Sequence, residues 1–239
     1  LPPRLYFVVT IQVEGQKKAI VLPIWADLGH SANNSLLSPE AKAAVAQAQE
    51  IAKGIFRNRF TRDMSCFFPL DGNGKLVIDG GSLGLAAALS FVQRACNLQL
   101  RFPVIATGRI DADGCVLQVD DLQQKISAAL GEIRKGAGMV LVPGNGHPTS
   151  SQNGVYAVQT FQDALRLLWE GHPQLDPNID SIDQLLRQVA ESDDYEGNLK
   201  RLDAWIQNRD TWNLQPADFI RLRTQVMIQL RHMGRTEDA

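Results

Sequence analysis

Little in this chain of 239 residues invites a partner of opposite charge. Its formal net charge is -2, with 24 lysines and arginines against 26 aspartates and glutamates, and basic residues never run longer than two together. That excludes the concentrated positive footprint with which proteins grip nucleic acid or an anionic membrane surface. No apolar run approaches the ~20 residues that span a bilayer, and the opening stretch LPPRLYFVVTIQVEG breaks into a polar turn too early for a signal peptide. Cysteine is scarce: Cys66, Cys96 and Cys115 are odd in number, sit within apolar runs and show no CxxC spacing. A disulfide framework and a metal site are therefore not expected, and a reducing cytoplasm fits best. The pattern GxxxxGK[ST] is missing, so the chain carries no phosphate-cradling loop of its own. Beginning at Leu1 and not at methionine, it reads as a processed or excised piece of something longer.

What is there is enough to bury a sizeable core, as one large domain or one domain with an appendage. From Leu5 to about Trp169, short β-rich runs alternate with helical patterns. LYFVVTIQV and KKAIVLPIW flank the turn EGQ and predict a hairpin. Ser38 and Pro39 then predict a cap and first helical position, followed by Ala44, Val45, Ala48, Ile51, Ala52 and Ile55 at helical spacing. Strand-like SCFFPL, KLVI, PVIATGRI, CVLQV, MVLVPG and VYAVQT follow, with helices after Ser82, after Asp120 or Asp121, and over FQDALRLLW. Such alternation predicts an α/β or α+β domain with helices on a sheet. Beyond His172 the β signal stops and three amphipathic helices follow, the last opened by Pro216. We therefore expect a domain over residues 1–172 and a helical extension over 173–239. SDDYEGNL and HMGRTEDA each follow one of these helices and are similar to the turn of a tetratricopeptide hairpin. The other reading is a helical tail.

Two side chains stand out chemically. DGGSLG, residues 79–84, sets Ser82 between glycines, after an apolar run and before an alanine-rich helix. It satisfies G-x-S-x-G, the strand-to-helix elbow that exposes a nucleophilic hydroxyl. A histidine base would be His147, His172 or His232. His147 lies in the turn-forming loop PGNGHPTS, where a surface histidine needs no special role, and the other two fall at or beyond the domain boundary. Lysine is the alternative base. Lys125 follows Leu122 and precedes Ala129 by helical intervals, so it borders the buried stripe of its helix. Burial there would lower its proton affinity toward that of a neutral base. On spacing alone, the reading in which its stem covers the core and its ammonium snorkels to solvent is favoured.

Taken in order, DGGSLG, ATGRI, GCVLQVDDLQQK and MVLVPGNG resemble the successive motifs of the proteolytic domain of Lon-type proteases. That family reads as an Asp-Gly-Pro-Ser-Ala-Gly turn, a Thr-Gly-Glu strand, a Gly-x-Val-Leu-x-Ile-Gly-Gly-Leu-x-x-Lys hairpin and helix start, and a strand ending in a proline turn. The intervals agree as well, 25 residues from Ser82 to Thr107 and 43 from Ser82 to Lys125. The resemblance is clear from about residue 63 to 170, rests on element order alone from 1 to 62, and is absent beyond.

The resemblance implies the Lon proteolytic fold and a serine endopeptidase that needs no cofactor and no metal. Ser82 would be the nucleophile and Lys125 the general base. Thr107 would hydrogen-bond the lysine, Asp79 would be the acidic residue before the nucleophile, and the backbone N–H groups of Gly81 and Ser82 would face the oxyanion. Departures from the family pattern are Gly81 for proline, Leu83 for alanine, Arg109 for glutamate, and Asp120 and Asp121 for the two glycines before the lysine helix. Gly81 loosens the turn, Leu83 crowds the pocket, and the aspartates raise the proton affinity of a nearby lysine. Without an ATPase module the chain would cut exposed or flexible segments of a protein or peptide substrate, or receive them from a partner docked on the C-terminal helices. A catalytically silent scaffold of the same fold is the alternative, and a Ser-His esterase using His147 a third. Ring assembly is implied by the family, where the ATPase parts also hold the ring, so a monomer is equally consistent.

Overall fold

The computed structural model describes residues 4–13, 16–28, 37–56, 60, 64–68, 78–133, 138–144, 151–152, 154–169, 182–207 and 216–235. The chain divides into two compact units, Leu1–Leu168 and Trp169–Ala239. The boundary expected near Pro173, the turns EGQ (in part) and DGNG, and most of the run KLVI lie outside the described residues.

In the first unit, β1 (Leu5–Val13) pairs antiparallel with β2 (Gln16–Pro23) in register from Tyr6↔Pro23 to Val13↔Gln16. The second run expected of this hairpin is shorter than its apolar length suggests. Pro23 has no N–H for a ladder and ends β2, so β3 (Trp25–Leu28) leaves to pair with β4 (Met64–Phe67) in a separate sheet. Between them α1 (Pro39–Ile55) opens as expected, with Ser38 Oγ accepting from the Ala41 N–H at 3.2 Å. The central helix α2 (Gly84–Ala95) follows a single 3₁₀ turn, Gly81–Leu83.

The run PVIATGRI divides into β5 (Val104–Ala106) and β6 (Arg109–Ile110), and β6 pairs with β7 (Val116–Leu117). After α3 (Leu122–Ile133) come β8 (Met139–Pro143), a short β9 (Ser151–Gln152), β10 (Val155–Val158) and α4 (Phe161–Trp169). The main sheet has the order β2-β1-β5-β8-β10-β9. Its four inner strands run parallel and both outer pairs are antiparallel.

Period-two alternation gives the sheet two apolar faces. Val8, Ile105, Val140 and Val142 meet Ala129, Leu122, Ile126 and Ile133 of α3. Phe7, Val104, Ala106 and Leu141 are buried with the opposite sense, on the side where α2 meets β1 and β5. Every residue of α2 from Gly84 to Val92 is buried, because the sheet, α1 and the β3–β4 pair surround it. A helix apolar on all sides belongs in such a place, and Gly84, Ala86, Ala87 and Ala88 let its neighbours come close.

The second unit contains α5 (Ile182–Glu191), α6 (Tyr195–Gln207) and α7 (Pro216–His232). Leu185, Val189, Leu202, Trp205 and Leu222 form its core, with Ile182, Leu186, Ile206 and Val226 against it. Asn198 is fully buried, and its amide donates to Val189 O, Ser192 O and Gln229 Oε1, which registers the three helices. The fold is therefore mixed α/β with a helical unit after it. No helix among the described residues is long and apolar enough to cross a membrane.

Candidate active site

Gly80 has φ 78° and ψ 165°, a conformation essentially closed to side chains, and so lets the chain turn abruptly from Asp79 into the 3₁₀ turn that carries Ser82. Two backbone bonds then fasten this turn to the segment after β5. Gly108 N–H donates to Ser82 O and Leu85 N–H to Gly108 O, each at 2.9 Å. Such close approach needs glycine on both sides. A Cβ at Gly84 would stand 3.2 Å from Ile110 N, and one at Gly108 would stand 2.7 Å from Val116 Cγ1. Ser82 is thereby held at the front of the most buried helix of the molecule, itself only 5% exposed.

Lys125 lies in the first turn of α3, its N–H donating to Asp121 O at 3.0 Å. It does not snorkel: at 5% exposure it is buried with Ala129 on the face that meets the sheet. Burial holds its amine below the ordinary lysine value of 10.5, against the opposing pull of Asp121 and Asp120 and with help from the charge of Lys17. Asp121 stands at φ 55°, in the left-handed region that favours glycine. The carboxylate expected near the helix start is paired with Lys17 Nζ at 3.1 Å.

Ser82 and Lys125 line one cleft of about 660 Å³, together with Thr10, Ile11, Lys17, Gly81, Arg109 and Asp121, among others. No hydrogen bond joins the serine hydroxyl to the lysine amine among the described residues. The N–H groups of Gly81 and Ser82 open the 3₁₀ turn, where backbone donors have no intrahelical acceptor. The aliphatic stem of Arg109 lies over Gly81, with Cγ and Cδ 3.3 Å from where a Cβ would stand. One wall of the cleft comes from β1. That strand pairs with β5 only from Leu5 to Phe7 but with β2 as far as Val13, so beyond Phe7 its other edge pairs with no described strand.

Thr107 makes no bond to the lysine, and Asp79 is engaged with the start of α1. Thr107 is buried, 1% exposed, but its Oγ1 has no hydrogen-bond partner among the described residues, so the bond to the lysine is not made in this arrangement. The Thr107 backbone is fixed by its N–H on Leu141 O at 3.0 Å. Asp79 does not reach toward the lysine. Its carboxylate accepts from the Ser38 side chain and from the Gly80 N–H at 2.8 Å, and these bonds hold it below its ordinary value. It fastens the turn to the start of α1, where Ser38 N–H also donates to Ile78 O.

Of the histidines considered as bases, His147 and His172 lie outside the described residues, and His232 stacks on Tyr195 in the helical unit. No cluster of three metal-binding side chains occurs among the described residues. A smaller pocket of about 300 Å³, lined by Arg4, Trp25, Ser90, Arg94 and Asn97, lies at the far end of α2 and contains none of the motif residues. Sequence reasoning missed Lys17, Thr10, Ile11 and Glu40 as cleft residues. The hairpin, with β2 alongside α3, brings Thr10, Ile11 and Lys17 there, and the start of α1 brings Glu40. No protein-family model matches the chain, and no curated protein matches it.

Proposed function

We propose that the chain is an ATP-independent serine endopeptidase of the Lon type, with Ser82 as nucleophile and Lys125 as general base. The reading rests on one observation above all: a hydroxyl on a glycine turn and a buried lysine, 43 residues apart, line the same cleft. Burial moves the proton affinity of the lysine downward, the direction a neutral base requires. In the first half-reaction Ser82 Oγ attacks the peptide carbonyl carbon while the Lys125 amine takes the hydroxyl proton. The tetrahedral oxyanion is met by the N–H groups of Gly81 and Ser82. Its collapse breaks the C–N bond, and the lysine returns the proton to the departing amine. Water then attacks the ester, giving one proton to Lys125, which passes it back to Ser82 as the acid leaves. General-base help contributes about 10²- to 10⁴-fold and each oxyanion donor about 10²- to 10³-fold. The unpaired edge of β1 supports an extended substrate segment, whose backbone would complete the ladder beside the serine.

The lone buried hydroxyl of Thr107 is the acceptor or donor that the amine would meet once it turns. The free thiols of Cys66, Cys96 and Cys115 fit a reducing compartment, the cytoplasm. The helical unit would receive the protein that delivers the substrate or regulates the cleft. The test is incubation with a denatured proteome, with new termini mapped for the wild type, Ser82→Ala and Lys125→Ala. Cleavages present in the wild type and lost in both variants are expected. Identical termini from all three proteins refute the peptidase, and no cleavage by any of them leads to the catalytically silent scaffold.

A further inference from the structure

Lys17 is the second residue of β2, beside the Val13↔Gln16 pair that closes the hairpin, yet it makes two contacts with the start of α3, more than a hundred residues away. Its Nζ pairs with Asp121 Oδ2 at 3.1 Å, and its carbonyl accepts from Gln124 Nε2 at 2.8 Å. Asp121 is held in the left-handed region at φ 55°, next to the turn that brings Lys125 into the cleft. An exposed ion pair of this kind adds little to stability, the Lys17 side chain being 65% exposed. Its geometry instead concerns the charge beside the buried amine. The other charged groups lining the cleft are Glu40 from α1, Asp79 from the serine turn, Arg109 from β6 and Asp120. Asp79 is already engaged by Ser38 and Gly80, so Asp120 and Asp121 are the carboxylates that bear on Lys125.

We propose that Lys17 is a positioning residue of this site: its ion pair with Asp121, braced by the Gln124 amide on its own carbonyl, keeps a carboxylate that bears on Lys125 screened and drawn toward β2. The proposal rests on Lys125 being the base of the peptidase described above, but its central test does not. Removing Lys17 uncovers a negative charge that stabilises the ammonium form of Lys125. A higher pH is then needed to free the base. Removing the Asp121 charge acts in the opposite sense, and with Asp121 neutral only the direct repulsion between the two amines is left for Lys17 to exert.

The experiment follows the Lys125 side chain by NMR against pH in the Ser82→Ala protein, assigned by loss of its signal in Lys125→Met, and in parallel the pH–activity profile of the Ser82-containing enzyme. Lys17→Met is expected to move the Lys125 midpoint, and the acid limb of activity, upward by about 0.5 pH unit, an effect that shrinks in 1 M salt. Lys17→Arg restores the wild-type midpoint. Asp121→Asn, which tolerates the left-handed backbone, moves it downward, and adding Lys17→Met to Asp121→Asn raises it by less than Lys17→Met does alone. A midpoint that stays within 0.1 unit in Lys17→Met, or that shifts equally with and without the Asp121 charge, overturns the proposal. A midpoint that moves as expected in a protein without Ser82-dependent cleavage upholds the coupling and overturns the peptidase reading instead.

Discussion

Adding one methyl group at Gly108 should damage both the stability of the α/β unit and the geometry of its serine. The new Cβ would lie 2.7 Å from Val116 Cγ1, about an ångström inside the contact distance of two carbons. Val116 cannot easily retreat. It is β-branched and buried, and its N–H is fixed on Gln159 O at 2.7 Å. Gly108 cannot retreat without pulling on Ser82 O and the Leu85 N–H, to which it is bonded on both sides. Overfilling of this sort costs about 1–3 kcal/mol, which for a unit of this size lowers the melting temperature by roughly 2–10 °C. Any displacement passed to Ser82 adds a loss of activity on the order of 10-fold or more. Val116→Ala removes the obstructing methyl and on its own costs about 1.5 kcal/mol of lost burial. In urea unfolding followed by circular dichroism, Gly108→Ala with Val116→Ala should therefore lose less than the sum of the single changes, by about 1–2 kcal/mol. Strict additivity, or a Gly108→Ala protein within 0.5 kcal/mol of the wild type on the same ~1 kcal/mol scale, refutes the reasoning.

Lys125→Met should stabilise the fold at neutral pH while abolishing the proposed cleavage. Because burial holds the native amine below 10.5, the unfolded chain binds the proton more tightly, and the native state carries that cost at every pH below its own value. The advantage of methionine should thus shrink as pH rises toward 10.5, and urea midpoints from pH 6 to 10 that run parallel for the two proteins would contradict it. Asp121→Ala, placing a plain Cβ at φ 55°, should cost about 1 kcal/mol, whereas Asp121→Gly stays near neutral by the same urea measurement. Cys66 is fully enclosed and its thiol is pushed up to about 12 by burial, despite its contact with Ser90 Oγ. It should resist a disulfide reagent at pH 8 until the protein unfolds, and rapid native labelling, mapped by mass spectrometry, would show the enclosure to be wrong.

Local patterns carried much of the fold into view. Ser38 and Pro39 announced α1, and the apolar spacing of Ile182, Leu185, Leu186 and Val189 announced α5. Glycine and serine in DGGSLG marked the turn before α2, because few residues other than glycine adopt the backbone that Gly80 needs. Other features depended on contacts distant in sequence. That Pro23 divides an apolar run between two sheets follows only when β4 is in place to receive Trp25–Leu28. Helical spacing left Lys125 at the border of its stripe, and it was the sheet beneath α3 that turned a border position into a buried one. Lys17 looked like any exposed strand lysine, since its partner Asp121 is brought to it by the hairpin and by nothing in its own neighbourhood. The acid before the serine was legible as a residue, but its commitment to Ser38 was not.

The burial of α2 from Gly84 to Val92 bears on how such a cleft could be switched. A turn welded to the front of an immobile helix cannot be withdrawn without disrupting the core of the unit, so the hydroxyl is a fixed point. The amine rides on an amphipathic helix with one wet side, at the end of a chain of rotatable bonds, beside an ion pair open to solvent. Under the proposed mechanism, control over proton transfer would fall to the acceptor: a signal reaching the outer surface of α3 would act on the amine while the alcohol keeps its place.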